Sequence, residues 1–136
     1  MAAVKELIRA EENGNLSFGD HTLDTKAKKE DFPHAGDLYK VKTYNEITKL
    51  ERNGIFVYES VPGTSVNNFL ETEEGVSFDA EGKEDAQITL GLADETEYEV
   101  FVNGGSVGRM KTNLGGKLSV SVELSGGKVH VEVKKA

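Results

Sequence analysis

Residues 86–133 read AQITLGLADETEYEVFVNGGSVGRMKTNLGGKLSVSVELSGGKVHVEV, and this stretch decides the fold class. Ala86, Ile88, Leu90 and Leu92 alternate with Gln87, Thr89 and Gly91, the two-residue period of a half-buried strand. Tyr98, Val100 and Val102 repeat that period, and Asn103-Gly104-Gly105 then supplies residues that tolerate the positive φ of a tight hairpin. Val107 to Met110 reads as the return strand, and Thr112-Asn113-Leu114-Gly115-Gly116 as a second turn. Leu118, Val120, Val122 and Leu124 alternate with Ser119, Ser121 and Glu123; Ser125-Gly126-Gly127 turns the chain, and Val129, Val131 and Val133 close it. Short strands at such regular spacing predict an all-β, antiparallel β-sandwich, immunoglobulin-like or jelly-roll-like, of about nine to eleven strands.

Working outward, Ile55 to Glu59 is a β-branched and aromatic run, Pro62-Gly63 is a turn dipeptide, and Val76, Phe78 and Ala80 mark a further strand. Val4 to Ala10 and Leu16 to Phe18 flank Asn13-Gly14 as a hairpin. The polar stretch from His21 to Pro33 predicts a loop, and Leu38 to Thr43 a strand. Residues 45–54 fit either a short helix capped by Asn45 or a hairpin turning at Asn53-Gly54, and the strength of the next strand favours the hairpin. The chain reads as one domain, 1–136, with an irregular part at 1–54 and a regular β meander over 55–136.

The chain has 136 residues, 15 of them glycine, and a net charge of −8. A surface of that sign repels phosphate backbones and anionic lipid, so neither nucleic acid nor a membrane is an expected partner. Lys26, Lys28 and Lys29 are followed at once by Glu30 and Asp31, a mixed solvated segment rather than a basic patch. No cysteine is present, which excludes a disulfide framework and thiolate chemistry. Residues 1–8 lack the basic start and long apolar run of a signal peptide, so with Met1 as the native start the expected compartment is the cytoplasm.

Candidate chemistry is sparse. His21, His34 and His130 lie on separate segments without metal-ligand spacing, and His130 alternates with Val129 and Val131 toward the outer face of its strand. No Gly-x-Ser-x-Gly elbow and no Gly-x-Gly-x-x-Gly phosphate cradle occurs, so no catalytic residue, cofactor or metal is expected. Sugar-binding sandwiches expose aromatic platforms; without tryptophan, Tyr39 and Tyr44 are the candidate ligand-binding residues here. The apolar terminal strands, with Leu7, Ile8, Val129, Val131 and Val133, are the candidate strand-pairing interface, flanked by Lys5, Arg9, Lys134 and Lys135.

Leu50-Glu51-Arg52-Asn53-Gly54, Val57-Tyr58-Glu59-Ser60-Val61-Pro62-Gly63-Thr64 and Glu84 to Leu90, followed by Thr96 to Val100 and Met110 to Leu118, carry a resemblance. Together they resemble a group of short stand-alone proteins of anaerobic Firmicutes often labelled "endosialidase". Phage endosialidases themselves have a large propeller and an arginine cluster that grips the sialic-acid carboxylate. Here the three arginines, Arg9, Arg52 and Arg109, are scattered, so the resemblance implies no catalytic residues. The part from Tyr98 to Leu124 is also similar to accessory β-sandwich modules of polysaccharide-degrading enzymes and bacterial surface proteins. The leading expectation is a non-catalytic structural or interaction module that pairs with further copies of itself; a carbohydrate-binding module is the alternative, and a glycan-active enzyme the third.

Overall fold

In a computed structural model of the chain, which describes residues 3–136, thirteen strands are formed among the described residues and every paired strand is antiparallel. They are β1 (Ile8–Ala10), β2 (Leu16–Phe18), β3 (Ala27–His34), β4 (Asp37–Tyr44), β5 (Ile47–Arg52), β6 (Ile55–Val61) and β7 (Ser65–Thr72). The rest are β8 (Gly75–Glu81), β9 (Ala86–Gly91), β10 (Glu97–Val102), β11 (Gly105–Lys111), β12 (Lys117–Val122) and β13 (Val129–Lys135). One sheet runs β1-β2-β7-β8-β13-β10-β11 and the other β12-β9-β6-β5-β4-β3. The two pack as a sandwich, as the alternation over residues 86–133 predicts.

Turn chemistry sets the register. Ala35-Gly36, Asn53-Gly54 and Asn103-Gly104 all have positive φ at both positions and join His34 to Asp37, Arg52 to Ile55 and Val102 to Gly105. Two-residue loops of this kind match the strand twist, and Asn-Gly is their preferred pair. Residues 45–54 are therefore strand and hairpin, without helix.

Three expectations need correcting. Residues 27–34 form β3 rather than a loop. This strand is exposed from Lys28 to Asp31, with Phe32 half-buried against the core, and Asp31 at φ 57 sits in a bulge between Lys29 and Phe32, so no two-residue apolar period survives there. A similar bulge at Asn68 obscures β7. These two strands raise the count above nine to eleven. Near the N-terminus the pairing begins at Ile8 rather than Val4, because Leu7 has φ 75 and cannot continue a strand.

The core is apolar through its middle. Phe18 and Tyr58 meet edge to face at 5.2 Å between ring centroids, Phe18 and Phe69 at 5.5 Å, and Tyr58 and Phe78 at 5.6 Å. One end is instead tied by hydroxyls. The backbone N–H of Asp20 donates to Thr43 Oγ1 (2.9 Å), Thr43 Oγ1 lies 2.8 Å from Thr48 Oγ1, and Thr48 donates to the carbonyl of Thr64 (2.7 Å). Because the single Thr48 proton is committed to Thr64, Thr43 is the donor to Thr48. The Thr64 N–H returns to Thr48 Oγ1 (3.1 Å), and Thr64 Oγ1 meets both Tyr58 Oη and Ser60 Oγ at 2.8 Å. All of these hydroxyl-bearing residues are fully buried, and burial pushes the Tyr58 phenol far up. Beside them, Gly63 lies so close to β4 that a Cβ would fall 1.9 Å from the Tyr44 carbonyl oxygen.

Thr48→Val keeps the shape and removes the relay, leaving the Thr64 N–H and carbonyl without their Thr48 partner and the Thr43 proton without its acceptor. The expected loss is at least about 2 kcal/mol in urea unfolding, against less than about 0.5 kcal/mol for Thr89→Val on the outer face.

Candidate functional site

The structure separates the residues singled out from sequence. Tyr39 projects into the core from β4, 7% exposed, with its ring 6.0 Å from that of His34. Burial raises its phenol, and a hydrogen bond with Arg52 acts in the opposite direction. Tyr44, an odd number of residues further along β4, lies on the outer face; its hydroxyl donates to Glu46 (3.0 Å), and the Lys26 ammonium stands 5.8 Å from its ring. Tyr39 is therefore a core residue rather than a ligand platform, and the two rings do not share a surface.

The terminal strands part company: β1 lies at the edge of its sheet, whereas the C-terminal strand does not. β13 lies in the middle of its sheet, pairing with β8 on one side and β10 on the other. Its Val129, Val131 and Val133 side chains are buried, so this strand offers no free edge. Ile8 is buried and Leu7 packs half-buried against the same core. Apolar alternation reports which face is covered, not whether the strand lies at the rim of its sheet.

The actual rims are β1 and β11 in one sheet and β3 and β12 in the other. Proteins blunt such rims with short strands, charge, proline or bulges. β1 has three residues, with Arg9 at its centre holding Glu11 at 3.0 Å. β3 carries its bulge, Lys28, Lys29, Glu30 and Pro33. β11 carries a bulge at Val107, opposite Val100 and Phe101, contains Gly108 at φ 119, and ends in Arg109-Met110-Lys111. β12 has none of these devices between Leu118 and Val122. Its pairing with β9 is unbroken over six residues, Leu118, Val120 and Val122 are buried, and Ser119 and Ser121 are the outward side chains.

A cleft of about 490 Å³ opens at the hydroxyl-tied end, lined by His21, Asn45, Glu46, Pro62, Lys83 and Glu84 among others. His21 sits 2.7 Å through Nδ1 from Ser65 Oγ, which also accepts the His21 backbone N–H at 3.2 Å. The buried Ser65 hydroxyl thus holds both the backbone N–H and the Nδ1 of His21. Ser65 is fully buried, and Asp20 Oδ1 is held by the backbone and hydroxyl of Thr22. Glu46 and Glu84 both line the cleft but are solvent-exposed, whereas a glycosidase acid works from a desolvated position. His130 lies on the outer face, as its position in the sequence predicts, with Nδ1 2.8 Å from Asp79.

No family model matches this chain, and no curated protein or solved structure matches it.

Two expected outcomes test these assignments. Tyr39→Ala is expected to cost about 3 kcal/mol in chemical unfolding, the scale of a large aromatic removed from a core, while Tyr44→Ala stays within about 1 kcal/mol of wild type. Burial holds the His21 imidazole below its ordinary value of 6.5. The unfolded chain therefore binds this proton first, and stability falls as pH drops through 6.5 toward the folded value. Unfolding measured between pH 8 and pH 5 is expected to show that fall and to lose part of it in His21→Gln. Glu11, lowered chiefly by the Ser17 hydroxyl, stabilises the fold fully above its ordinary 4.5 and loses that contribution only as pH falls below it, outside this window.

Proposed function

We propose that this chain is a non-catalytic structural or interaction module that self-associates through an edge strand. The observation that carries the reading is β12: a straight rim with unbroken pairing behind it and no bulge, proline or internal charge, in a molecule whose other rims all carry such devices. Strand addition draws its affinity from main-chain hydrogen bonds, which an edge of this kind presents ready-made. The buried Ser65 and the exposed cleft carboxylates agree with a non-catalytic role. The short endosialidase-labelled proteins remain a proposed likeness and supply no function of their own.

A carbohydrate-binding role is the second reading, and Tyr44 favours it. Its ring is half-exposed on the outer face, its hydroxyl rests on Glu46, and Glu46 and the neighbouring Asn45 line the cleft. One ring is a smaller platform than stacking on a pyranose usually employs, which ranks this reading below self-association.

Light scattering over a wide range of protein concentration is the deciding measurement. The expected mass rises above the 14.8 kDa of one chain, and Ser121→Pro, which removes an N–H from the open rim, returns it to a single chain. A mass that stays at one chain throughout overturns self-association, and binding to a glycan array that is lost in Tyr44→Ala then establishes the second reading.

A further inference from the structure

The backbone of β12 shows which of its groups are open. The Gly116 carbonyl accepts the Leu92 N–H at 2.7 Å, so the even-numbered residues that follow turn their N–H and C=O toward β9, and the odd-numbered ones turn theirs away. The 2.9 Å contact between the Thr89 and Ser119 hydroxyls agrees, since side chains approach most closely where a pair does not exchange backbone bonds. Lys117 is already satisfied: Asn113 Oδ1 takes its N–H at 2.9 Å and the Asn113 N–H meets its carbonyl at 3.3 Å. Ser119 and Ser121 are left as the outward-facing backbone of the strand.

This inference rests on the self-association reading and names the occupant. We propose that β12 pairs with β12 of a second copy, antiparallel about a two-fold axis at Val120. Ser119 of each copy then exchanges backbone bonds with Ser121 of the other, four bonds in all. Leu118 faces Val122 and Val120 faces Val120 on the inner side, so apolar meets apolar. On the outer side Lys117, at one end of the strand, faces Glu123, one residue past the other end, and the symmetry makes this ion pair twice. Shifting the axis by one residue either way keeps the backbone match but sets Lys117 opposite Ser121, or Glu123 opposite Ser119. Charge selects the central register.

The surroundings fit a second copy. β1 contacts β3 across the sandwich, which leaves β11 and β12 together on the opposite side. There Val102 and Met110 on the inner face of β10 and β11 are only half-buried, apolar surface that a neighbouring chain would cover. A two-fold contact uses the same rim on both partners, so association closes at two chains and leaves only the blunted rims outside.

Charge reversal on the full-length chain, read by sedimentation velocity with thermal unfolding as the fold control, tests the register. Wild type is expected to form a dimer. E123K and K117E alone each place two like-charged pairs in the interface and are expected to weaken it roughly tenfold. The double variant K117E/E123K restores it, and mixing the two single variants yields a heterodimer tighter than either homodimer. E123K is the cleaner arm, because the Lys117 ammonium also lies 4.6 Å from the Phe56 ring. A wild-type dimer indifferent to both reversals, with no heterodimer on mixing, overturns the β12 register while leaving self-association standing. A wild-type chain that sediments as a monomer at every concentration overturns both.

Discussion

Thr64 is the point on which the two sheets agree. Its carbonyl, its N–H and its hydroxyl are all engaged, by Thr48 on β5 and by Tyr58 and Ser60 on β6, just before the chain enters β7 of the other sheet. A buried peptide group without partners costs more than most single contacts return, so the chain can cross at this place only if those hydroxyls are positioned to meet it. The close approach of Gly63 to the Tyr44 carbonyl and of Gly19 to the Thr64 carbonyl follows from the same demand. At both positions a side chain would push a strand off the relay.

The relay has a polarity as well as a geometry. Each threonine hydroxyl has one proton, and the chain from Asp20 N–H through Thr43 and Thr48 to the Thr64 carbonyl spends each proton in one direction. The aromatic cluster of Phe18, Tyr58, Phe69 and Phe78 then packs against a frame whose spacing is already set, with Tyr58 belonging to both. Shape complementarity in the middle of the sandwich and hydrogen-bond satisfaction at its end are joined through that one side chain.

How much of this was legible in the sequence depends on what each segment buries. Where one face is covered and the other wet, as in Ala86 to Leu92 or Leu118 to Leu124, the alternation is clean and the strands are read correctly. β3 puts only Phe32 against the core and is interrupted by Asp31, so it carries no periodic signal, and β7 loses its signal at Asn68. Rim position was legible at the N-terminal strand β1 but not at the C-terminal end of the chain. β12 and β13 have nearly the same pattern of inward valines, yet one is an edge and the other is central, because lateral order arises from pairings far apart in the chain. Tyr39 and Tyr44 show the same limit at the level of single residues: their odd spacing shows that they point opposite ways, while only the assembled sandwich shows which of them is inside.

The central place of β13 has a consequence for the order of events during synthesis. Both of its neighbours, β8 and β10, leave the ribosome well before residues 129–135 do. The sheet built on β3 to β6, β9 and β12 has all its strands once residue 122 has emerged, whereas the other holds a strand-wide gap. Until residues 129–135 emerge, the nascent chain exposes two facing, unpaired strands and the apolar surface that β13 will cover. Completion of that layer therefore waits for residues 129–135, which join β8 to β10.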